Sequence, residues 1–270
     1  MSTPFSPQTA VADVRRLRSA AERERTGWYY IEGARIVEQA LNAQAPFVAG
    51  VIAPDLLRGE HAFATVAALK ASGAPVVELS RSAFESISFK ENLQGIGAVV
   101  EIQRQPLSSV QLTAEEVWVA LDNVGNPGNL GAIMRTGDAT GCAGLLLLGN
   151  TTDPYHPAAI RASMGSFFAL QMVRASFDEF MQWAKAQNVP VIGTTPDAEV
   201  EYQAVRYPRP CVVLMGSERL GLTPAQQAAC DLQVRIPMVG NADSLNLGVA
   251  TSLELYAVFL QGRRASSAGA

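Results

Sequence analysis

Three segments of this chain place glycines and polar side chains where an apolar strand gives way to a helix. The last is Ile236-Pro-Met-Val-Gly-Asn-Ala-Asp-Ser-Leu-Asn-Leu-Gly-Val-Ala250. A strand-like end, Val234–Ile236, is stopped by Pro237, which cannot donate a ladder hydrogen bond. Ser244 then stands ahead of Leu247, Ala250, Thr251, Leu255 and Val258, which recur at helical spacing. Such a loop leaves backbone N–H groups free to hold a ligand by the main chain. In the first segment, Leu121–Arg135, Gly125, Gly128 and Gly131 allow left-handed backbone or close approach of another chain. Asn129 is placed to cap the following helix. Arg135 falls about one and a half turns into it, where its fork could reach a phosphate. The glycine spacing is neither a dinucleotide fingerprint nor a P-loop. In the second segment, Cys211–Leu222, a buried strand delivers Gly216, Ser217, Glu218 and Gly221 at its carboxyl end, and Thr223-Pro224 suits a helix start. A glutamate so near a buried strand is costly unless it is paired or used, and the alternative is a rim glutamate in a solvated loop.

Taken in order, Asn126–Arg135, Leu214–Leu222 and Ile236–Ala250 resemble the three motifs of the SpoU/TrmH family of RNA ribose 2′-O-methyltransferases, within the SPOUT superfamily. The resemblance spans roughly 117–260. A shorter likeness, through Ile31–Leu41 and Gln94–Val99, is to the family's ribosomal-protein-like recognition domain. The resemblance implies a C-terminal α/β methyltransferase domain with a trefoil knot and S-adenosylmethionine as cofactor, bound largely through backbone groups. By position it assigns Gly216, Ile236, Met238 and Leu245 to the cofactor, with Leu214 close by. It sets Asn129, Arg135, Glu218, Ser244 and Asn246 around the reacting ribose. It also implies a homodimer packed partly through the final helix, where Leu253, Leu255, Tyr256, Val258, Phe259 and Leu260 form an apolar run. The family mechanism casts the arginine matching Arg135 as general base. A guanidinium holds its proton at ordinary pH, so a clamp on the adjacent phosphate is the alternative, and the sequence leaves both open.

The elements that must position these residues read as two α/β alternations. In the first, a polar helix over 9–25 precedes Trp28–Glu32 and a helix over Ala34–Leu41. Strands follow at Phe47–Ile52, Pro75–Leu79 and Ile96–Ile102, with helices at Ala62–Ala71 and Ser82–Ser86. Helices alternating with short apolar strands imply a small α/β sandwich. Residues 103–115 are polar and Pro-containing and read as a linker. The second alternation has strands at Val117–Leu121, Gly144–Leu148, Val189–Gly193 and Cys211–Met215. Its helices are Leu130–Ala139, Phe177–Gln187 and Leu245–Phe259, with a frayed tail over Arg263–Ala270. The expected organisation is therefore a recognition domain over 1–105, a linker over 106–115 and a methyltransferase domain over 116–270.

Composition narrows the class. The 270 residues are 48% hydrophobic, enough for a substantial core. No apolar run is long enough to span a bilayer and no secretory leader is visible, so a cytoplasmic enzyme is expected. Cys142, Cys211 and Cys230 are widely spaced and form no metal-ligand pattern with His61 and His156, so no metal is expected. The net charge of −4 argues against a generic nucleic-acid binder. Charges balance over 1–105, where Arg15, Arg16, Arg18, Arg23 and Arg25 cluster as a face for phosphate or simply for water. The favoured substrate is ribosomal RNA. The alternatives are a tRNA ribose methyltransferase and a non-catalytic RNA-binding assembly factor.

Overall fold

A computed structural model describes Phe5, residues 9–89 and residues 92–268, with side chains as far as Arg263. The chain forms two compact units. One comprises Met1–Gln103 with Tyr155–Phe168, the other Arg104–Pro154 with Ala169–Ala270.

In the first unit the order is α1 (Ala10–Arg16), α2 (Ala20–Thr26), β1 (Trp28–Glu32), α3 (Ala34–Asn42), β2 (Phe47–Ile52), α4 (Gly59–Ala71), β3 (Val76–Glu78), α5 (Arg81–Glu85) and β4 (Ile96–Glu101). The strands make one mixed sheet ordered β1-β4-β2-β3. The pairs β1–β4 and β2–β4 are antiparallel, and β2–β3 is parallel. The single polar helix expected over 9–25 is two helices. The buried Arg23 guanidinium donates to the carbonyls of Leu17 and Arg18, at 2.7 and 2.9 Å, and so satisfies the end of α1.

The second unit contains β5 (Val117–Asp122), α6 (Pro127–Thr140) and β6 (Gly144–Leu148). The chain then leaves it for α7 (Pro157–Ala162), which packs with the first unit. It returns as β7 (Gln171–Ala175), α8 (Phe177–Ala186), β8 (Val191–Thr194), β9 (Cys211–Met215), α9 (Pro224–Ala229), β10 (Leu232–Val234) and α10 (Leu247–Ala268). Its sheet is wholly parallel, ordered β10-β8-β9-β5-β6-β7. Central β5, β6 and β9 are buried on both faces, as a parallel sheet covered by helices requires. One core is built from Trp118, Leu146, Phe180, Trp183, Val191 and Val212 with their neighbours. The fold class is the expected α/β.

Two caps fall two or three residues from where the sequence suggests. Asn126, not Asn129, caps α6: its Oδ1 accepts from Gly128 N at 2.7 Å, ahead of Pro127 in the first helical position. Asn246, not Ser244, caps α10, with Oδ1 accepting from Gly248 N (2.9 Å) and Val249 N (3.3 Å). Helix α10 also continues to Ala268 instead of fraying from Arg263.

Candidate active site

The order of the parallel sheet fixes where a ligand can sit. From β5 the chain moves outward to β6 and β7, and from β9 it passes on to β10 at the other edge. The chain thus leaves the adjacent strands β5 and β9 toward opposite edges of the sheet, and at such a reversal the carboxyl ends of the strands are the usual ligand edge. A cleft of about 670 Å³ lies at this edge. It is lined from β8 by Thr194, Thr195 and Pro196, and from the β9 loop by Met215, Gly216, Ser217, Glu218 and Gly221. The β10–α10 segment supplies Ile236, Met238, Asp243, Ser244, Leu245, Leu247 and Ala250. The lining combines apolar side chains with hydroxyls and two carboxylates, Glu218 and Asp243.

The β9 loop is rigid for a local reason. Ser217 and Gly221 exchange two backbone hydrogen bonds (3.1 and 3.0 Å), and Leu220 N donates to Ser217 Oγ at 3.1 Å. Gly216 is locked beneath this turn. A Cβ there would stand 2.1 Å from the Gly221 carbonyl carbon and 2.3 Å from Leu222 N.

Three loops meet through one chain of hydrogen bonds. Glu218 Oε2 accepts from the backbone N–H groups of Gly125 (3.2 Å) and Asn126 (3.3 Å) at the start of α6. Its Oε1 accepts from Asn129 Nδ2 at 2.5 Å. Asn129 Oδ1 in turn accepts from Asn246 Nδ2 at 3.0 Å, and Asn246 Oδ1 caps α10. The same two helices touch again lower down, where Thr136 and Ser252 hydroxyls are 2.9 Å apart. Between these contacts a Cβ on buried Gly248 would meet Ala132 Cβ at an ordinary 3.5 Å and the capping Asn246 Oδ1 at a tighter 3.2 Å.

Beneath the cleft lies a second polar group. Glu254, on α10 one turn after Ala250, is fully buried, and burial pushes its carboxyl up to about 7, with the Tyr207 and Thr194 hydroxyls offsetting only part. Tyr207 Oη lies 2.8 Å from the Tyr202 carbonyl and 2.7 Å from Glu254 Oε2. A phenol has one proton to give. Both contacts are satisfied when Tyr207 donates to Tyr202 and protonated Glu254 donates to Tyr207.

With this geometry in place, the likeness to known proteins is specific. A model of the SpoU rRNA Methylase family matches residues 116–256. The chain belongs to the SpoU rRNA methylase family. An MRM3-like substrate binding domain model matches residues 8–98. RlmP of Bacillus subtilis, a 23S rRNA (guanosine(2553)-2'-O)-methyltransferase, is 30% identical over 246 residues, covering 91% of this chain and 94% of that protein. The crystal structure of an AdoMet-bound rRNA methyltransferase from Sinorhizobium meliloti superposes with a TM-score of 0.85 at 34% identity, covering 96% of each chain. AviRb from Streptomyces viridochromogenes, solved with AdoMet, also gives 0.85, at 26% identity over 93% of this chain and 97% of its own.

The residues singled out from the SpoU motifs divide into three groups. Gly216, Ile236, Met238 and Leu245 line the cleft, together with Glu218 and Ser244. Asn129 and Asn246 stand beside it, joined to Glu218. Two lie apart: Leu214 is buried within β9, and Arg135 is exposed on α6 and does not line the cleft. Because α6 begins at Pro127, Arg135 sits roughly two turns in, not one and a half. Thr194, Thr195, Pro196 and Asp243 were not singled out. The turn residues directly after the apolar Val191–Gly193 run are the signal that could have found the first three.

The cysteines take no part. Burial pushes the thiols of Cys142 and Cys211 up to about 12 and that of Cys230 up to about 11. Among the described residues no helix is long and apolar enough to cross a membrane.

Proposed function

We propose that this protein transfers a methyl group from S-adenosylmethionine to a ribose 2′-hydroxyl of ribosomal RNA, acting on 23S rRNA in the cytoplasm. The observation that carries this is the cleft that the second and third SpoU motifs line at the carboxyl edge of the parallel sheet, with the first motif tied to both through Glu218 and Asn246. Its chemistry fits the cofactor. Ile236, Met238, Leu245 and Leu247 offer apolar surface, while Ser217, Ser244 and the turn backbone offer hydrogen bonds. When bound, the cofactor supplies an electrophilic methyl on a sulfonium.

The chain's own work is then binding and positioning. Gly216, Ile236, Met238 and Leu245 hold the cofactor, and Leu214 supports the β9 turn from below. Glu218, Asn129 and Asn246 fix the three loops relative to one another, so that nucleophile and methyl can be set in line. Ser244, on the cleft wall, orients the ribose. Arg135 stands outside the cleft and acts as a clamp on the RNA phosphate next to the reacting sugar, stabilising the developing alkoxide. The exposed stripe Val249, Tyr256 and Leu260 on α10, continued by partly buried Leu253, is the face through which two copies pair.

Incubation with labelled S-adenosylmethionine and unmodified rRNA and tRNA transcripts tests the substrate class. Label should enter the rRNA. Label confined to tRNA, or absent from both, contradicts the proposal.

A further inference from the structure

The arginines of the first two helices do different things. Arg23 is buried as the α1–α2 pin, Arg25 pairs with Glu22 at 2.8 Å, and Arg16 reaches Asp13 at 3.8 Å. Arg15 and Arg18 instead lie across residues 86–89, where Arg161 of α7 joins them. Arg15 Nε donates to the Ser86 carbonyl at 3.3 Å, and Arg18 Nη2 donates to those of Ile87 and Ser88 at 3.3 and 3.2 Å. Arg161 Nη1 donates to the Phe89 carbonyl at 3.4 Å. Three guanidinium groups thus occupy four consecutive carbonyls.

The segment they cover is anchored from the other side. The buried Glu32 carboxylate accepts from Ser88 Oγ (2.5 Å) and Phe89 N (2.9 Å). Its two oxygens hold the loop in place. The Arg18 guanidinium also stands 4.9 Å from the centre of the half-buried Phe89 ring. Neutral carbonyls orient a guanidinium without cancelling its charge. Among the described residues none of Arg15, Arg18 and Arg161 pairs with a carboxylate, and all three are exposed. Each has five N–H donors, of which these bonds use one or two. The result is a fixed row of cations, with an aromatic ring in it, on a chain whose net charge is −4.

We propose that Arg15, Arg18 and Arg161 form a phosphate-binding surface for a single-stranded stretch of the RNA substrate, with Phe89, packed between the Arg18 guanidinium and Tyr30, holding Arg18 in place. The surface is composite. Arg161 lies inside the span matched by the methylase model, yet its helix packs with the unit that carries the substrate-binding match. This inference rests on the reading of the chain as an rRNA methyltransferase.

The test is the salt dependence of binding to transcribed 23S rRNA, measured between about 50 and 200 mM KCl, for Arg15→Gln, Arg18→Gln, Arg161→Gln and the triple variant. Each lost phosphate contact should lower the slope of log affinity against log salt by about 0.7 for a single strand. Arg161→Lys should keep the slope, and Arg25→Gln should change nothing. S-adenosylmethionine affinity and the melting curve should both stay at the wild-type values throughout, which excludes unfolding of either unit. A triple variant with the full wild-type slope overturns the surface while leaving the enzyme assignment standing. A wild-type chain that neither binds nor methylates rRNA overturns the assignment itself.

Discussion

Glu218 accepts at both oxygens, since each hydrogen bond it makes comes from a donor. Asn246 Oδ1 accepts two backbone N–H groups at the start of α10, which fixes that amide with its nitrogen toward Asn129. Asn129 must then present its oxygen to Asn246 and its nitrogen to Glu218. Gly125 N and Asn126 N fill the second carboxylate oxygen. Glu218→Gln keeps the shape but sets an NH₂ group against a donor. The loops should lose their register, and methyl transfer should fall on the order of 10²-fold, the scale of an ångström misplacement. Comparing the kcat of Glu218→Gln with its melting curve checks this; an unchanged kcat contradicts it. The sequence leaves Glu218 either paired or at the rim of a solvated loop; the structure has it exposed and paired at once, and the direction of the chain depends on which asparagine caps which helix. Gly216 is a similar case. Its placement after a buried strand suggests open space for a ligand, whereas the nearest obstacle to a side chain is the protein's own Gly221–Leu222 backbone.

At the scale of elements, apolar periodicity gave most strands and helices to within a residue or two, since burial on two faces or one stripe leaves a plain pattern. Caps were harder. Asn126 and Asn129 are equally good residues for an N-cap, and only the backbone bonds of α6 choose between them. The α1–α2 break was hidden because its cause, the inward turn of Arg23, looks in sequence like one more charge on a solvated face. Strand β7 is an edge strand of mixed polarity and was missed for that reason. Helix α10 illustrates what burial does to a group that periodicity ignores. Glu254 is held near 7 in the folded chain against an ordinary value of 4.5, so the folded state binds its proton more tightly. Its contribution to stability is complete below about pH 4.5 and is lost as pH rises toward 7, a change of roughly 3 kcal/mol at most. Glu254→Gln should remove this slope. Urea unfolding at pH 5 and pH 8 should show the variant gaining on the wild type at the higher pH, and equal differences at both pH values contradict the account.

For the molecule as a whole, the sequence pointed to two α/β parts but could not show that Tyr155–Phe168 packs with the first. That excursion follows from aromatic contacts made at a distance in sequence, as Tyr29 lies 4.9 Å from Tyr155 and 5.6 Å from Phe167 between ring centres. The final helix likewise splits what looked like one apolar run. Leu255 and Val258 are core, while Tyr256 and Leu260 remain 45% exposed. If copies pair through that stripe, sedimentation should give a dimer for the wild type and a monomer for the Tyr256→Glu, Leu260→Glu variant with helix content unchanged. A monomeric wild type, or a variant that stays dimeric, contradicts the pairing. The central claim concerns chemistry at a ribose, and one measurement reaches it directly. After incubation with S-adenosylmethionine, 23S rRNA is subjected to partial alkaline hydrolysis and the fragments are resolved nucleotide by nucleotide. A 2′-O-methyl blocks cleavage at its own position, so the account predicts one new gap in the ladder that depends on enzyme and cofactor. Methyl incorporation that leaves the ladder complete would place the methyl on a base and contradict it.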